Sequence, residues 1–325
     1  MEENQTNLKD EETSDSYDCY ENGTQYRMQG QYETSIKYLN KALNKFKKLH
    51  NNNPNHPDIA NTLNNIGLSY QDLGEYDKSI KYFLNALQIY VRLYKNQDHP
   101  SIAITLNNIG TSYEEMGEYQ KAIQYFEKSL EMKQKCFENK NHPSIAMTLN
   151  NMGTLYRSLG QYSQSIKIFK IALEMKQNFY LDKYHPSIAD SLNNIGFSYL
   201  YLSQYEKSLQ FFFKALYIYK KENPIQNLKI SDTYNNIGLA LTYLQEYKQS
   251  IDYFNQSIQI YKSIYGDKNH LSIASTLNNL GTSYNHLGDF NNSIKFFDTA
   301  LDMYYKLLSN EDDPRIAETL NNIGK

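Results

Sequence analysis

Residues 100–142 read PSIAITLNNIGTSYEEMGEYQKAIQYFEKSLEMKQKCFENKNH, and this stretch decides the fold. Ile102, Leu106, Ile109, Gly110 and Tyr113 recur at helical spacing and form the apolar stripe of a first helix, A. Gly117 stands where that helix ends, because glycine accepts the left-handed backbone of a helix terminus. Tyr119, Ala122, Ile123, Phe126 and Leu130 then form the stripe of a second helix, B. Gly110 and Ala122 are small where the two helices must approach closely. The product is an antiparallel hairpin in which neither helix buries its stripe alone.

Outward from this stretch the same unit recurs. Thirteen of the fourteen glycines fall in two slots of it. Gly23, Gly67, Gly110, Gly153, Gly196, Gly238, Gly281 and Gly324 hold the first slot. Gly30, Gly74, Gly117, Gly160 and Gly288 hold the second, seven residues later, and Gly266 lies outside both. From Gly67 onward the step is 43 residues, with one step of 42 between Gly196 and Gly238. A fixed period of this length specifies a solenoid, since stacking the hairpins buries a shared core. The sequence therefore predicts an all-α fold, a right-handed α-solenoid of stacked antiparallel helical hairpins over 17–325. It divides into seven hairpins, the first degenerate with Cys19 where later copies have Leu, and a single final helix at 314–325. That helix stops mid-pattern at Asn321-Asn322-Ile323-Gly324-Lys325, which reads either as a cap on the stack or as a truncated product.

Linkers carry the pairs His56-Pro57, His99-Pro100, His142-Pro143 and His185-Pro186, and all seven prolines lie in linkers. Proline is tolerated in the first helical turn, where its missing N–H costs nothing. The acidic, polar start of the chain is predicted to be a disordered tail over 1–16 and lacks the basic start and apolar core of a signal peptide. No apolar run approaches the ~18 residues that span a bilayer. The net charge of −3 predicts neither nucleic acid nor a membrane surface as partner. Two cysteines are too few for a disulfide framework and fit a cytoplasmic protein, with a cytoskeletal association as a further expectation.

The pattern Leu106, Gly110, Tyr113, Ala122, Phe126 resembles the tetratricopeptide repeat (TPR), whose usual unit is ~34 residues. Here the extra residues lengthen helix B and the linker. This long variant is similar to the TPR domain of kinesin light chains. The shared features are Leu149-Asn150-Asn151-Met152-Gly153, the turn Leu159-Gly160-Gln161-Tyr162, the Ala172 to Met175 segment and the His-Pro linker. The resemblance covers about 57–325 and implies a superhelix whose A helices line a concave groove. It also implies that groove asparagines clamp the backbone of an extended peptide. A kinesin light chain carries a long heptad coiled coil before its repeats, whereas this sequence has a short acidic tail, so a free-standing adaptor is expected rather than a motor subunit.

At 100° per residue, Ile104, Asn107, Asn108, Thr111, Glu114 and Glu115 point away from the core direction, to the side the resemblance assigns to the groove. An Asn pair recurs there in seven helices. Its first members, Asn64, Asn107, Asn150, Asn193, Asn235 and Asn278, are the candidate peptide contacts, because an amide both donates and accepts. The competing account is that these asparagines bond to a neighbouring helix. The same face carries Asp72, Glu114, Glu115, Asp190, Asp232 and Glu318 against Arg157 and Lys325. That balance predicts a neutral or basic peptide and argues against carboxylate-terminus binding, which needs groove cations. In the fifth and sixth hairpins the groove positions become Phe197, Leu200, Tyr201, Leu239 and Tyr243, and the turn glycine becomes Ser203 and Gln245. These five apolar side chains are the expected anchor for a partner, or else packing between adjacent A helices.

His56, His99, His142, His185 and His270 recur one per repeat, with Asn227 and Asp313 in the same slot elsewhere. Equivalent positions on stacked hairpins cannot converge on one ion, so capping or linker packing is expected and no metal site. No phosphate-cradling loop, GxSxG, HExxH or CxxC occurs, so neither a catalytic residue nor a cofactor is predicted. The expected function is a non-enzymatic scaffold or adaptor holding an extended peptide or helix of a partner protein. The alternatives are a self-assembling repeat array, joined through the C-terminal edge helix, and a regulatory TPR segment of a larger motor-linked or signalling protein.

Overall fold

The computed structural model describes residues 2–51, 53–138, 140–222, 228–266, 268–308 and 313–324. All regular structure among the described residues is helical, and the fold class is an all-α solenoid of antiparallel helix pairs. The chain forms two compact units, Met1–Leu159 and Gly160–Lys325. The first holds α1 (Glu2–Met28), α2 (Tyr32–Leu49), α3 (Pro57–Asp72), α4 (Tyr76–Leu93), α5 (Pro100–Glu115), α6 (Tyr119–Cys136) and α7 (Pro143–Ser158). The second holds α8 (Tyr162–Phe179), α9 (Pro186–Tyr201), α10 (Tyr205–Glu222), α11 (Leu228–Tyr243), α12 (Tyr247–Tyr265), α13 (Leu271–Leu287), α14 (Phe290–Leu307) and α15 (Pro314–Ile323). Odd-numbered helices are A helices and even-numbered ones are B helices.

Residues 2–16, expected as a disordered tail, instead form the first part of α1, while residue 1 lies outside the described residues. Neither Gly nor Pro interrupts the sequence before Gly23, and Ser16 and Cys19 are buried, Cys19 in a core shared with Leu39, Leu43 and Phe46 of α2. A single continuous helix is the outcome.

In the first pair the A-helix glycine, Gly23, faces Leu39 of B, and in five later pairs it faces a phenylalanine of B. A Cβ on Gly67 or Gly110 would lie 2.7 Å from the ring of Phe83 or Phe126, both fully buried. Truncating such a phenylalanine costs about 3–5 kcal/mol by the usual core scale. The turn after A places Gly117 at φ +75°, and Ser203 and Gln245 hold the same left-handed backbone at φ 57° and 64°. Losing glycine there has not changed the turn.

Between pairs, buried serines join a B helix to the following A helix. Ser35 bonds Ser69 at 2.9 Å and Ser79 bonds Ser112 at 2.8 Å in the first unit. Ser165–Ser198 at 2.9 Å and Ser250–Ser283 at 2.8 Å repeat this in the second.

The linker histidines cap the A helices. The Nδ1 of His56, His99, His142, His185 and His270 accepts from the backbone N–H two residues on, at 3.1–3.3 Å. An aromatic ring from the end of the preceding B helix stacks on each cap. Tyr94 lies 3.4 Å from His99 between ring centres, Phe137 3.7 Å from His142, Tyr180 3.5 Å from His185 and Tyr265 3.8 Å from His270. His50 takes that place against His56 at 3.3 Å. Asp313 caps α15 by accepting from Arg315 N–H at 3.0 Å, and Asn227 lies outside the described residues. No helix among the described residues is long and apolar enough to cross a membrane.

Candidate peptide-binding face

The paired asparagines form a ladder along successive A helices. In the second unit, Asn236 donates to Asn193 Oδ1 at 3.4 Å, Asn279 to Asn235 Oδ1 at 3.2 Å and Asn322 to Asn278 Oδ1 at 3.4 Å. In the first unit, Asn108 donates to Asn64 Oδ1 at 3.4 Å and Asn151 to Asn107 Oδ1 at 3.2 Å. Each bond runs from the second Asn of one repeat to the first Asn of the repeat before. The ladder therefore takes the carbonyl of the candidate residue and leaves its amide hydrogens to offer a ligand. Asn107 and Asn278 are buried, so their side chains serve the ladder, the competing account for these positions, rather than the expected peptide contact. Asn64, Asn150, Asn193 and Asn235 are half-buried and keep an exposed part.

Three of the expected residues come together in the second unit. Asp190, Asn193 and Asp232 line one depression of about 300 Å³ with Asn194, Tyr219 and Lys229. Asp232 also borders a neighbouring depression of about 270 Å³, with Asn235, Tyr261 and Arg315 among its walls. The Tyr219 hydroxyl donates to Asp190 Oδ1 at 2.6 Å, and Lys229 Nζ bonds its two oxygens at 2.7 and 2.9 Å. The Tyr261 hydroxyl donates to Asp232. Burial, and then the Asp190 charge, push the Tyr219 phenol far above its ordinary pKa, so it stays a donor.

Lys229 and Tyr219 were not foreseen. Lys229 stands in the first turn of α11 and reaches back one repeat to Asp190, so the aspartate is already partly neutralised. For Tyr219 a signal existed in the repeat. Tyr90, Tyr219 and Tyr261 each stand 29 residues after a polar A-helix side chain, Asn61, Asp190 and Asp232, and bond to it. Where that side chain is Ile104 or Met147, the slot holds Lys133 or Lys176 instead. Those lysines are buried and donate onward to the next A helix, Lys133 to Ser144 O and Thr148 and Lys176 to Ser187 O and Ser191. Burial pulls both ammonium groups down to about 8. Ile104 and Met147 are left exposed on the A face of the first unit, an apolar pair of which only Ile104 was foreseen.

The expected anchor separates into two classes. Tyr201 and Tyr243 are 55% and 54% exposed. Each lies against the tyrosine that opens the preceding B helix, Tyr162 at 5.3 Å and Tyr205 at 5.0 Å, and Phe197 also stacks 6.5 Å from Tyr201. Phe197 and Leu239 are half-buried and pack on the core. Leu200 is only 5% exposed and belongs to the core with Ile237, Ala240 and Leu241, so it is no surface anchor. Its slot is a contact between successive A helices. Gln71, in the same slot of α3, donates to Asn108 O and Ser112, and Thr242 bonds Ser283.

Glu114 occupies that slot too, which corrects its expected role as a groove anion. Burial, then the neighbouring Glu115, push its carboxyl up to about 8 against the opposing pull of Arg157. It is largely neutral at pH 7. Arg157 is half-buried at the same slot of α7.

Among the described residues, His50, His56 and Asp58 bring potential metal ligands within 4.8 Å of one another. Their geometry is that of a linker. The two rings stack face to face, His56 Nδ1 accepts the Asp58 N–H and His50 Nε2 bonds Asp58 at 2.9 Å.

A family model described as tetratricopeptide repeat matches residues 58–135, 139–221 and 272–325, and a second with the same description matches 231–272. No curated protein matches the sequence. Among solved structures, the apo quorum sensor NprR from B. thuringiensis is similar at 23% identity and TM-score 0.70, over 88% of this chain and 75% of that one. Aspartyl phosphate phosphatase F from Bacillus subtilis is similar at 18% identity and TM-score 0.69, over 95% and 74%. A putative kinesin light chain from Podospora anserina with TPR-like repeats is similar at 17% identity and TM-score 0.52, over 64% and 96%.

Proposed function

The chain belongs to the tetratricopeptide repeat family, and from that premise we propose that it is a non-enzymatic adaptor holding an extended, neutral or basic peptide of a partner protein on its A-helix face. The observation that carries this reading is the asparagine ladder beside Asp190 and Asp232 in the second unit. Asn193 and Asn235 present amide hydrogens, which suit the backbone carbonyls of a peptide whatever its sequence. Asp232 offers a carboxylate to a basic side chain. Tyr201 lies eight residues beyond Asn193 on α9, about 12 Å along the helix. With Tyr243 it offers an exposed ring to an apolar or cationic side chain. The likenesses to a quorum sensor at 23% identity and to a putative kinesin light chain at 17% carry the fold alone. The likeness to a phosphatase carries the fold alone at 18% identity. The reading also places the protein in the cytoplasm.

The test compares two baits in affinity capture from the native lysate with mass spectrometry. One is the wild-type chain, and the other carries Asn193→Ala, Asn235→Ala, Tyr201→Ala and Tyr243→Ala and is checked for helicity by circular dichroism. Partners lost only from the variant support the reading, and an unchanged partner list contradicts it. The rival reading is self-assembly through α15. Sedimentation over a wide concentration range separates the two, since the adaptor reading expects a constant monomer.

A further inference from the structure

A cavity of about 570 Å³ opens in the second unit between the B helices α8 and α10, and it shares no lining residue with the A-face depressions. Its walls include Leu173 of α8, Tyr184 of the linker and Phe211, Phe213 and Tyr217 of α10. Phe213 and Tyr217 are 42% and 52% exposed, one helical turn apart. The chain's own repeats provide the control for these two positions. The slot of Phe213 holds Asn40, Leu84, Glu127, Lys170, Asn255 and Asp298 in the other copies, and the slot of Tyr217 holds Asn44, Gln88, Glu131, Glu174, Gln259 and Asp302. The repeat thus needs no aromatic side chain at either place, and in eleven of these twelve instances it carries a polar or charged one. Two exposed rings beside a concavity are a departure that the fold does not require.

The charge around the cavity has one sign. Lys183 and Lys214 line it, and no carboxylate does. Lys183 Nζ stands 5.1 Å from the Tyr184 ring centre, Lys214 Nζ 5.4 Å from Phe211 and Lys221 Nζ 5.7 Å from Tyr217. The nearby Asp182 is engaged by the Tyr184 N–H at 2.8 Å. The Tyr184 phenol is held below its ordinary pKa by the Tyr217 hydroxyl and by the Lys183 ammonium, in keeping with a positive local field.

We propose that this cavity is a second docking site, which takes an acidic peptide segment anchored by one aromatic or large aliphatic side chain. The rings receive the anchor, and the three ammonium groups meet the flanking carboxylates. The volume lies within the ordinary range for a specific pocket, about 300–1,000 Å³. The site stands independently of the A-face reading and has the opposite charge preference. A chain with both sites joins a basic segment on one face to an acidic segment on the other.

The test is fluorescence anisotropy on the full chain, with a labelled peptide of one phenylalanine flanked by glutamates and a matched peptide flanked by lysines. The acidic peptide is expected to bind about tenfold or more tightly than the basic one, with affinity falling as salt rises. Phe213→Asp with Tyr217→Glu, identities that equivalent slots already hold in Asp298 and Glu174, is expected to cost about tenfold or more. Lys183→Gln with Lys214→Gln is expected to weaken binding and flatten the salt dependence, which keeps the proposal testable if the first variant misfolds. Tyr201→Ala with Tyr243→Ala is expected to leave this affinity unchanged. Equal binding of the two peptides, or unaltered binding by both cavity variants, overturns the proposal. So does conversion of a wild-type dimer to monomer by the Phe213/Tyr217 variant, which would make a second copy the occupant.

Discussion

Ser208 Oγ is buried on α10 and has no hydrogen-bond partner among the described residues, because Ala240 stands on α11 in the slot of Ser69, Ser112, Ser198 and Ser283. An unpaired buried hydroxyl costs stability that its removal restores. Ser208→Ala is expected to raise the unfolding free energy by about 1 kcal/mol in chemical denaturation. Ser203 holds a left-handed backbone that favours glycine. Ser203→Gly is expected to stabilise by roughly 0.5 kcal/mol, the relieved backbone penalty less the entropy that glycine adds to the unfolded chain. Glu114 gives a pH signature. Its folded carboxyl is raised to about 8 from an ordinary 4.5, so the stability its protonated form provides is full below 4.5 and lost as pH rises through 8. Glu114→Gln is expected to leave the melting temperature unchanged near pH 4.5 and raise it above pH 8. An equal gain at both pH values would show that the carboxyl is not perturbed.

The linker is the element on which the stack turns, and it too has a pH signature. Burial pulls His56, His99 and His270 below the ordinary histidine pKa of 6.5. Their capping contribution is therefore full above 6.5 and lost as pH falls, since a protonated Nδ1 cannot accept the cap hydrogen bond. In a Glu114→Gln background, which removes the opposing carboxyl titration, the melting temperature is expected to drop between pH 7 and 5, and His99→Asp to lessen the drop, because a carboxylate caps as Asp313 does. The helices, their pairing and the capping histidines were legible because the glycine slots and the apolar stripes are properties of one repeat. In the slot that also holds Gln71 and Thr242, Glu114 was misread as a groove anion, and Leu200 follows the packing alternative given for it rather than the anchor. A helical wheel orients a side chain against its own hairpin and is silent on the next A helix, which is where these residues pack. Lys229 escaped for the same reason, since its partner Asp190 lies 39 positions earlier. Residues 2–16 were misread because polar composition says little about a helix that continues into a buried one.

For the molecule as a whole, the chemistry that could meet a partner divides between faces. The A helices of the second unit present amide donors, Asp232 and the exposed rings of Tyr201 and Tyr243. The B helices present lysines around exposed rings. Site-specific photo-crosslinking asks whether a partner peptide lies on the A face. A photoreactive amino acid is placed in turn at Tyr201, at Tyr243 and at Gln124, which is exposed on helix α6. The same partner protein is expected at Tyr201 and Tyr243 and absent at Gln124. No adduct at the two tyrosine positions, or an equal adduct at Gln124, would contradict an adaptor that reads its partner through the A helices.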